Sequence, residues 1–142
     1  MIHRKMAMFV LQIQSYMKDY KAYFIIPAAP ELVYLALTTA ETIRLWTGDE
    51  VVMAAEPGTE FSWWDGAIVG KNLSFEPGKK IEQQWYFGEQ QEPSIVTIKL
   101  HPHKQGTSME VRQTHIPDED YADIVDGWRT VFAASLIEFY TE

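Results

Sequence analysis

From Glu50 onward the chain alternates between apolar and polar residues along "EVVMAA" (50–55), "TEFSWW" (59–64), "AIVGKNLSFE" (67–76), "KKIEQQWYF" (79–87), "SIVTIKLH" (94–101) and "TSMEVRQTHI" (107–116). A period of two marks half-buried strands. Short turns separate them: Glu-Pro-Gly at 56–58 and 76–78, Asp65-Gly66, Gln-Glu-Pro near 91–93 and Lys-Gln-Gly at 104–106. Asp-Gly between two such runs predicts a two-residue hairpin. Links this short cannot carry parallel crossovers, so the predicted sheet is an antiparallel meander.

Other periods flank the meander. "KDYKAYFII" (18–26) is β-branched and aromatic, which predicts a strand ended by Pro27. "PELVYLALTT" opens with Pro30 and Glu31, both favoured at a helix start, and sets Val33 and Leu37 on one face. Thr38 and Glu41 have capping-box spacing, which predicts a second short helix through Trp46, closed by Gly48. After Pro117, "DEDYADIVDGWRTVFAASLIEFY" predicts a long amphipathic helix. Its apolar stripe is Tyr121, Ile124, Val125, Trp128, Phe132, Leu136 and Phe139. Asp118, Glu119, Asp120 and Asp123 complement the helix dipole. Gly127, which costs about 1 kcal/mol relative to Ala inside a helix, is read as a point of close approach by the sheet or a neighbouring helix.

These elements predict an α+β fold: a curved antiparallel sheet wrapped around a long C-terminal helix, with two short helices after the first strand. One domain spans 18–142, preceded by an extension over 1–17. The extension has the basic start and short apolar stretch of a signal peptide, but Gln12 and Gln14 interrupt it and no cleavage site follows. It reads as an extension upstream of Met17 or as an additional strand or helix.

Alternation assigns faces. Ile81, Gln83, Trp85 and Phe87 share one side of their strand; Val96, Ile98 and Leu100 share one on the next; Met109, Val111, Gln113 and His115 share one on the last. These are placed on the concave side, facing the helix, with Trp85 near Trp128 or Phe132. Glu82, Gln84, Lys99, Glu110 and Arg112 fall on the solvent side. Trp63 and Trp64 are neighbours on one strand, so only one can line the interior. The outward one of the two packs under a helix or loop or forms a surface patch for a partner.

Charge and composition narrow the function. Twelve Lys plus Arg against 20 Asp plus Glu give a net charge of −8, which disfavours nucleic acid. No apolar run approaches the roughly 20 residues of a membrane helix. The absence of cysteine excludes disulfides and thiolate metal sites and fits a reducing, cytoplasmic setting. No nucleophile elbow, phosphate-cradling loop or His-Glu-x-x-His is present. His101 and His103 flank Pro102 without further ligands and read as turn residues, so no metal or cofactor is expected.

The order of elements and four strings, "PAAPELVYLALTTAETIRLW", "FSWWDGAIVGKNLSFEPGKKIEQQW", "SIVTIKL" and "DGWRTVFAASLIEFY", resemble the helix-grip (START-like, Bet v-like, SRPBCC) superfamily. Within it the chain is similar to the activator of heat-shock-protein-90 ATPase homologue family, meaning its C-terminal domain and free-standing bacterial relatives. The motifs fall on Val33/Leu37, Leu45/Trp46, Gly66/Ile68/Gly70/Asn72, Pro77/Lys79/Ile81/Trp85 and Gly127/Trp128. Trp46-Thr47-Gly48 departs from the Trp-Trp-Gly of many relatives, and Gln113 stands where many have histidine.

The inward apolar stripes read either as a filled core or, as the resemblance implies, as the wall of a ligand cavity between sheet and helix. Its expected lining takes Trp46, Trp63, Gln83, Trp85, Phe87 and Ile98 on one side. Met109, Val111, Gln113, His115, Tyr121, Trp128 and Phe132 complete it. The first reading is therefore a non-enzymatic domain, of stress-response or activator-homologue type, that binds an apolar small molecule. The second is a protein-interaction module related to chaperone ATPase activators. The third is a cyclase- or hydratase-like enzyme, for which Gln113, His115 and Tyr121 form the candidate polar cluster, with His115 as general base.

Overall fold

The strands lie in the order β1-β6-β5-β4-β3-β2, so only the first breaks the sequence of neighbours. In the computed structural model, described for residues 17–90 and 92–141, β1 is Met17–Ile26, β2 Glu60–Trp63, β3 Ile68–Glu76, β4 Lys80–Trp85, β5 Ser94–His103 and β6 Gly106–Pro117. All pairings are antiparallel. β1 docks on β6 because two helices, α1 (Pro30–Thr38) and α2 (Ala40–Thr47), carry the chain from one sheet edge to the other. The last helix, α3 (118–139), is α-helical over Asp118–Gly127, π-helical over Trp128–Ala133 and α-helical again over Ala134–Phe139. The extension at 1–16 lies outside the described residues.

The concave face carries the core. Ile81, Val96, Ile98, Leu100, Met109 and Val111 are buried against α1, α2 and α3, which contribute Val33, Leu37, Ile43, Phe132 and Leu136. Alternation thus locates the inward face through most of the sheet.

Four local expectations are corrected. The 50–55 segment forms a single bridge, Val52 to Ser62, rather than a strand. A side chain takes the place of a ladder there: Asn72 Nδ2 donates to the Ala54 carbonyl at 3.1 Å. The capping box does not form. Thr38 Oγ1 donates back to the Tyr34 carbonyl at 2.8 Å, and Thr39 is the N-cap of α2 without a side-chain bond. The hairpin at Asp65-Gly66 is longer than two residues: Trp63 pairs with Ile68, leaving a four-residue turn, 64–67. Finally, β6 carries a bulge opposite Asp19. His115 takes a left-handed φ of 50° there, and its N–H donates to Asp19 Oδ1 at 3.1 Å. The extra residue resets the pleat, so Ile116 becomes the next fully buried position and His115 leaves the concave row.

Alternation puts Glu110 on the solvent side, yet it is only 7% exposed. It sits mid-sheet on β6, paired across to Tyr23 and Lys99, and its Oε1 meets His101 Nε2 at 3.0 Å. Burial pushes its carboxyl up, but the His101 hydrogen bond and the positive charges of Lys21, Lys99 and His101 outweigh that, and the group titrates below the ordinary 4.5. A depressed folded pKa contributes stability above the unfolded value and loses it as pH falls through the folded one. The melting temperature of the wild type should therefore drop relative to that of Glu110→Gln as pH is lowered below 4.5. Parallel melting curves across that range would remove Glu110 from the acid response.

Gly70 is the tightest point of the sheet. It pairs with Phe61 and Trp85, and a Cβ there would strike the Gln84 backbone carbonyl and the Phe61 ring, which lies over the glycine. Gly70→Ala should lose about 3 kcal/mol in chemical denaturation, the upper end of overpacking costs, because backbone rather than a flexible side chain must yield.

Candidate functional site

Aromatic rings join the sheet to α3. Trp85 on β4 stacks on Trp128 at 5.1 Å between centroids and 16° between planes. Trp128 meets Phe132 at 4.5 Å. Trp46, at the end of α2, packs edge-on against Trp63, Trp64 and Phe132 at 5.9, 5.5 and 5.2 Å. The opposite-face expectation for Trp63 and Trp64 fails for a backbone reason. Trp64 takes a left-handed φ of 51°, leaves the pleat, and turns to the same side as Trp63. Both rings then contact Phe132, at 5.6 and 5.8 Å. A bulky residue in that conformation costs about 1–3 kcal/mol, which its contacts with Trp46, Trp63 and Phe132 offset.

Buried indoles need acceptors. Trp46 Nε1 donates to the Ala36 carbonyl at 2.7 Å, Trp85 Nε1 to Gln83 Oε1 at 3.1 Å, and Trp128 Nε1 to Gln113 Oε1 at 2.8 Å. Gln83 is held in turn by Asn72 Oδ1 at 3.0 Å, and Gln113 by Ser94 Oγ at 3.1 Å. The two glutamines therefore anchor tryptophans. Trp63 Nε1 is buried without a partner.

Above this cluster lies a pocket of about 460 Å³. Trp85, Trp128 and Phe132 line it together with Trp64, Ala67 and Ile68 of the β2–β3 hairpin. Helix α3 adds Ile124, Gly127 and Val131, and two carboxylates, Asp49 and Asp123, complete the wall. The pocket exists because the first segment of α3 buries no residue, while the π-helical turn brings Trp128, Phe132 and Ala133 inward. A Cβ on Gly127 would meet nothing within 4 Å, so this glycine faces open space and makes no close approach to another element.

Of the lining expected from sequence, the pocket brings together Trp85, Trp128 and Phe132. Trp46 and Trp63 pack behind them; Ile98, Met109 and Val111 are core. Phe87 and Tyr121 are half-buried outside the pocket, Tyr121 with the Lys18 ammonium 5.0 Å from its ring centroid. Neither Gln113, committed to Trp128 and Ser94, nor His115, turned by the bulge, reaches the pocket. Sequence reasoning missed Asp49, Trp64, Ala67, Ile68, Asp123, Ile124, Gly127 and Val131. Ile124 and Gly127 carried a signal, a stripe residue beside a helix-interior glycine.

Residues 27–139 match the family described as Activator of Hsp90 ATPase homolog 1-like protein. The chain belongs to that family. Every residue lining the pocket falls within the matched stretch. Among curated relatives, the chain is 30% identical over 104 residues to the activator of 90 kDa heat shock protein ATPase homolog of Dictyostelium discoideum, covering 71% of this chain and 27% of the relative. The chain thus spans about a quarter of that relative's length. Among solved structures, it is similar to an Hsp90 activator from Plasmodium falciparum, with a TM-score of 0.76 at 20% identity over 87% of this chain and 95% of the other. A protein from Mesorhizobium loti gives a TM-score of 0.69 at 25% identity over 85% and 95%. The family's helix-grip fold is the fold observed here. Among the described residues no helix is long and apolar enough to cross a membrane.

The Gln113 anchor can be tested apart from packing. Gln113→Leu keeps most of the side-chain volume but leaves the Trp128 N–H and the Ser94 hydroxyl unpaired. It should lose about 2 kcal/mol in denaturant unfolding, the desolvation penalty of unsatisfied buried groups.

Proposed function

We propose that this chain is a non-enzymatic binding domain that holds an apolar small molecule in the pocket between the sheet and α3. The observation that carries this reading is the pocket itself: about 460 Å³, with four aromatic rings in its wall. Its size falls in the roughly 300–1,000 Å³ range of small-molecule sites, which are mostly apolar with a few polar groups. The non-enzymatic part is supported by the lining chemistry. Its only titratable side chains are Asp49 and Asp123, both exposed, and no nucleophile stands beside a base. The cysteine-free composition supports a cytoplasmic setting.

A protein-interaction role towards a chaperone ATPase is the second reading. It is supported by family membership and by the names of the curated relatives, of which the chain spans about a quarter. That role does not need the pocket to be filled, so occupancy separates the two.

Native mass spectrometry with solvent extraction should recover an apolar compound from the purified wild type. Where the pocket is emptied by purification, the neutral fluorophore N-phenyl-1-naphthylamine should bind in its place. Gly127→Leu, which projects a side chain into the open space, should retain the fold and lose both. Gly127→Ala should bind and be more stable by about 1 kcal/mol from helix propensity. A wild type that yields no compound and binds no fluorophore would overturn the binding reading and leave the interaction role.

A further inference from the structure

We infer that the pocket selects flat aromatic compounds bearing a positive charge, such as an arylalkyl amine, over aromatic carboxylates. The inference rests on the pocket reading above and adds the charge and shape of the ligand. Shape is set by the rings. Trp64, Trp85, Trp128 and Phe132 form an aromatic wall, which suits a flat aromatic partner in offset or edge-to-face contact. Any ring face that a ligand reaches carries negative electrostatic potential, which attracts a cation and repels an anion.

The polar groups point the same way. Both charges in the lining are negative, Asp49 from the segment after α2 and Asp123 from the first segment of α3. Neither has an ion-pair partner among the described residues. Asp49 Oδ1 accepts only the Glu50 N–H at 2.8 Å, which leaves its second oxygen free. Donors are scarce by comparison. The Trp85 and Trp128 N–H groups are committed to Gln83 and Gln113, which leaves the Trp64 indole as the one uncommitted side-chain donor of the lining. A bound carboxylate would meet two like charges, while an ammonium would meet two acceptors. The chain's net charge of −8 adds a field of the same sign.

Calorimetric titration at neutral pH with 1-naphthylmethylamine, 1-methylnaphthalene and 1-naphthoate, one ring system in three charge states, tests this. The amine should bind about tenfold more tightly than the naphthoate, the combined effect of two partly solvated carboxylates. The ratio should shrink in about 1 M salt, where the Debye length falls to roughly 3 Å. In Asp49→Asn/Asp123→Asn it should approach unity while the affinity for 1-methylnaphthalene holds. Naphthoate binding as tightly as the amine, or a preference undiminished by the double substitution, would overturn the charge inference alone. Failure of all three compounds to bind would overturn the pocket reading with it.

Discussion

The stack of Trp85 on Trp128 ties the sheet to the helix, and both ends of the tie are fixed by amide side chains. Gln83 holds one indole and Gln113 the other. Each glutamine is itself restrained, by Asn72 and by Ser94, so the two rings are oriented from within the sheet. Asn72 also reaches the Ala54 carbonyl and Thr59 Oγ1, both at 3.1 Å, and so fixes the segment that runs past β2. A buried polar group is expensive unless paired. The Trp85–Gln83 bond lies within β4, whereas the Trp128–Gln113 bond crosses from helix to sheet, so moving the helix off the sheet would leave a buried indole without its acceptor.

The pocket arises from how α3 meets that tie. An unbroken α-helix carries its stripe at 3.6 residues per turn. In α3 the π-helical segment Trp128–Ala133 inserts a wider turn at the point of contact. Trp128, Phe132 and Ala133 are buried in the core, while no residue of Asp118–Gly127 is. Most of the interior is packed, and the pocket of about 460 Å³ opens between the β2–β3 hairpin and the part of α3 that joins its first segment to the π-helical one. The sequence alone offered a choice between a filled core and a cavity; packed core and open pocket both lie between the sheet and α3.

That division explains how much was legible in the residues. Alternation placed Ile81, Val96, Met109 and their neighbours correctly, because a regular strand has no other way to present a side chain. It also turned Trp85 towards the helix, near Trp128 or Phe132, and the stack forms on Trp128. It failed at Trp64 and at His115, where a non-glycine residue with positive φ breaks the pleat and re-aims the side chains beyond it. Neither position announces itself in sequence, since tryptophan and histidine are not the residues that φ > 0 most favours. Val52 misled for a different reason. It alternates like a strand residue, but one bridge to Ser62 exhausts its pairing, and a side-chain amide does the rest. Ala67 and Asp49 line the pocket through the folding of their turns, which residue type alone does not encode.

The departures from regular geometry are not scattered. Trp64 in the left-handed region, the π-helical turn beginning at Trp128 and the bare helix-interior Gly127 all border the same volume. Each lowers stability relative to a regular alternative: an extended residue at 64, a continuous α-helix, an alanine at 127. Local choices that oppose the fold's own propensities are expected at functional or strained sites, and their clustering here supports the proposed binding role of the pocket. The bulge at His115 is the contrasting case, for it lies on the β1–β6 pair, where the Asp19 carboxylate caps its N–H and the pleat resumes at Ile116. A bulge of that kind repairs a register. The cluster around Gly127 repairs no register: it brings Trp128, Phe132 and Ala133 into the core and leaves open space between Trp64, Trp85 and the helix.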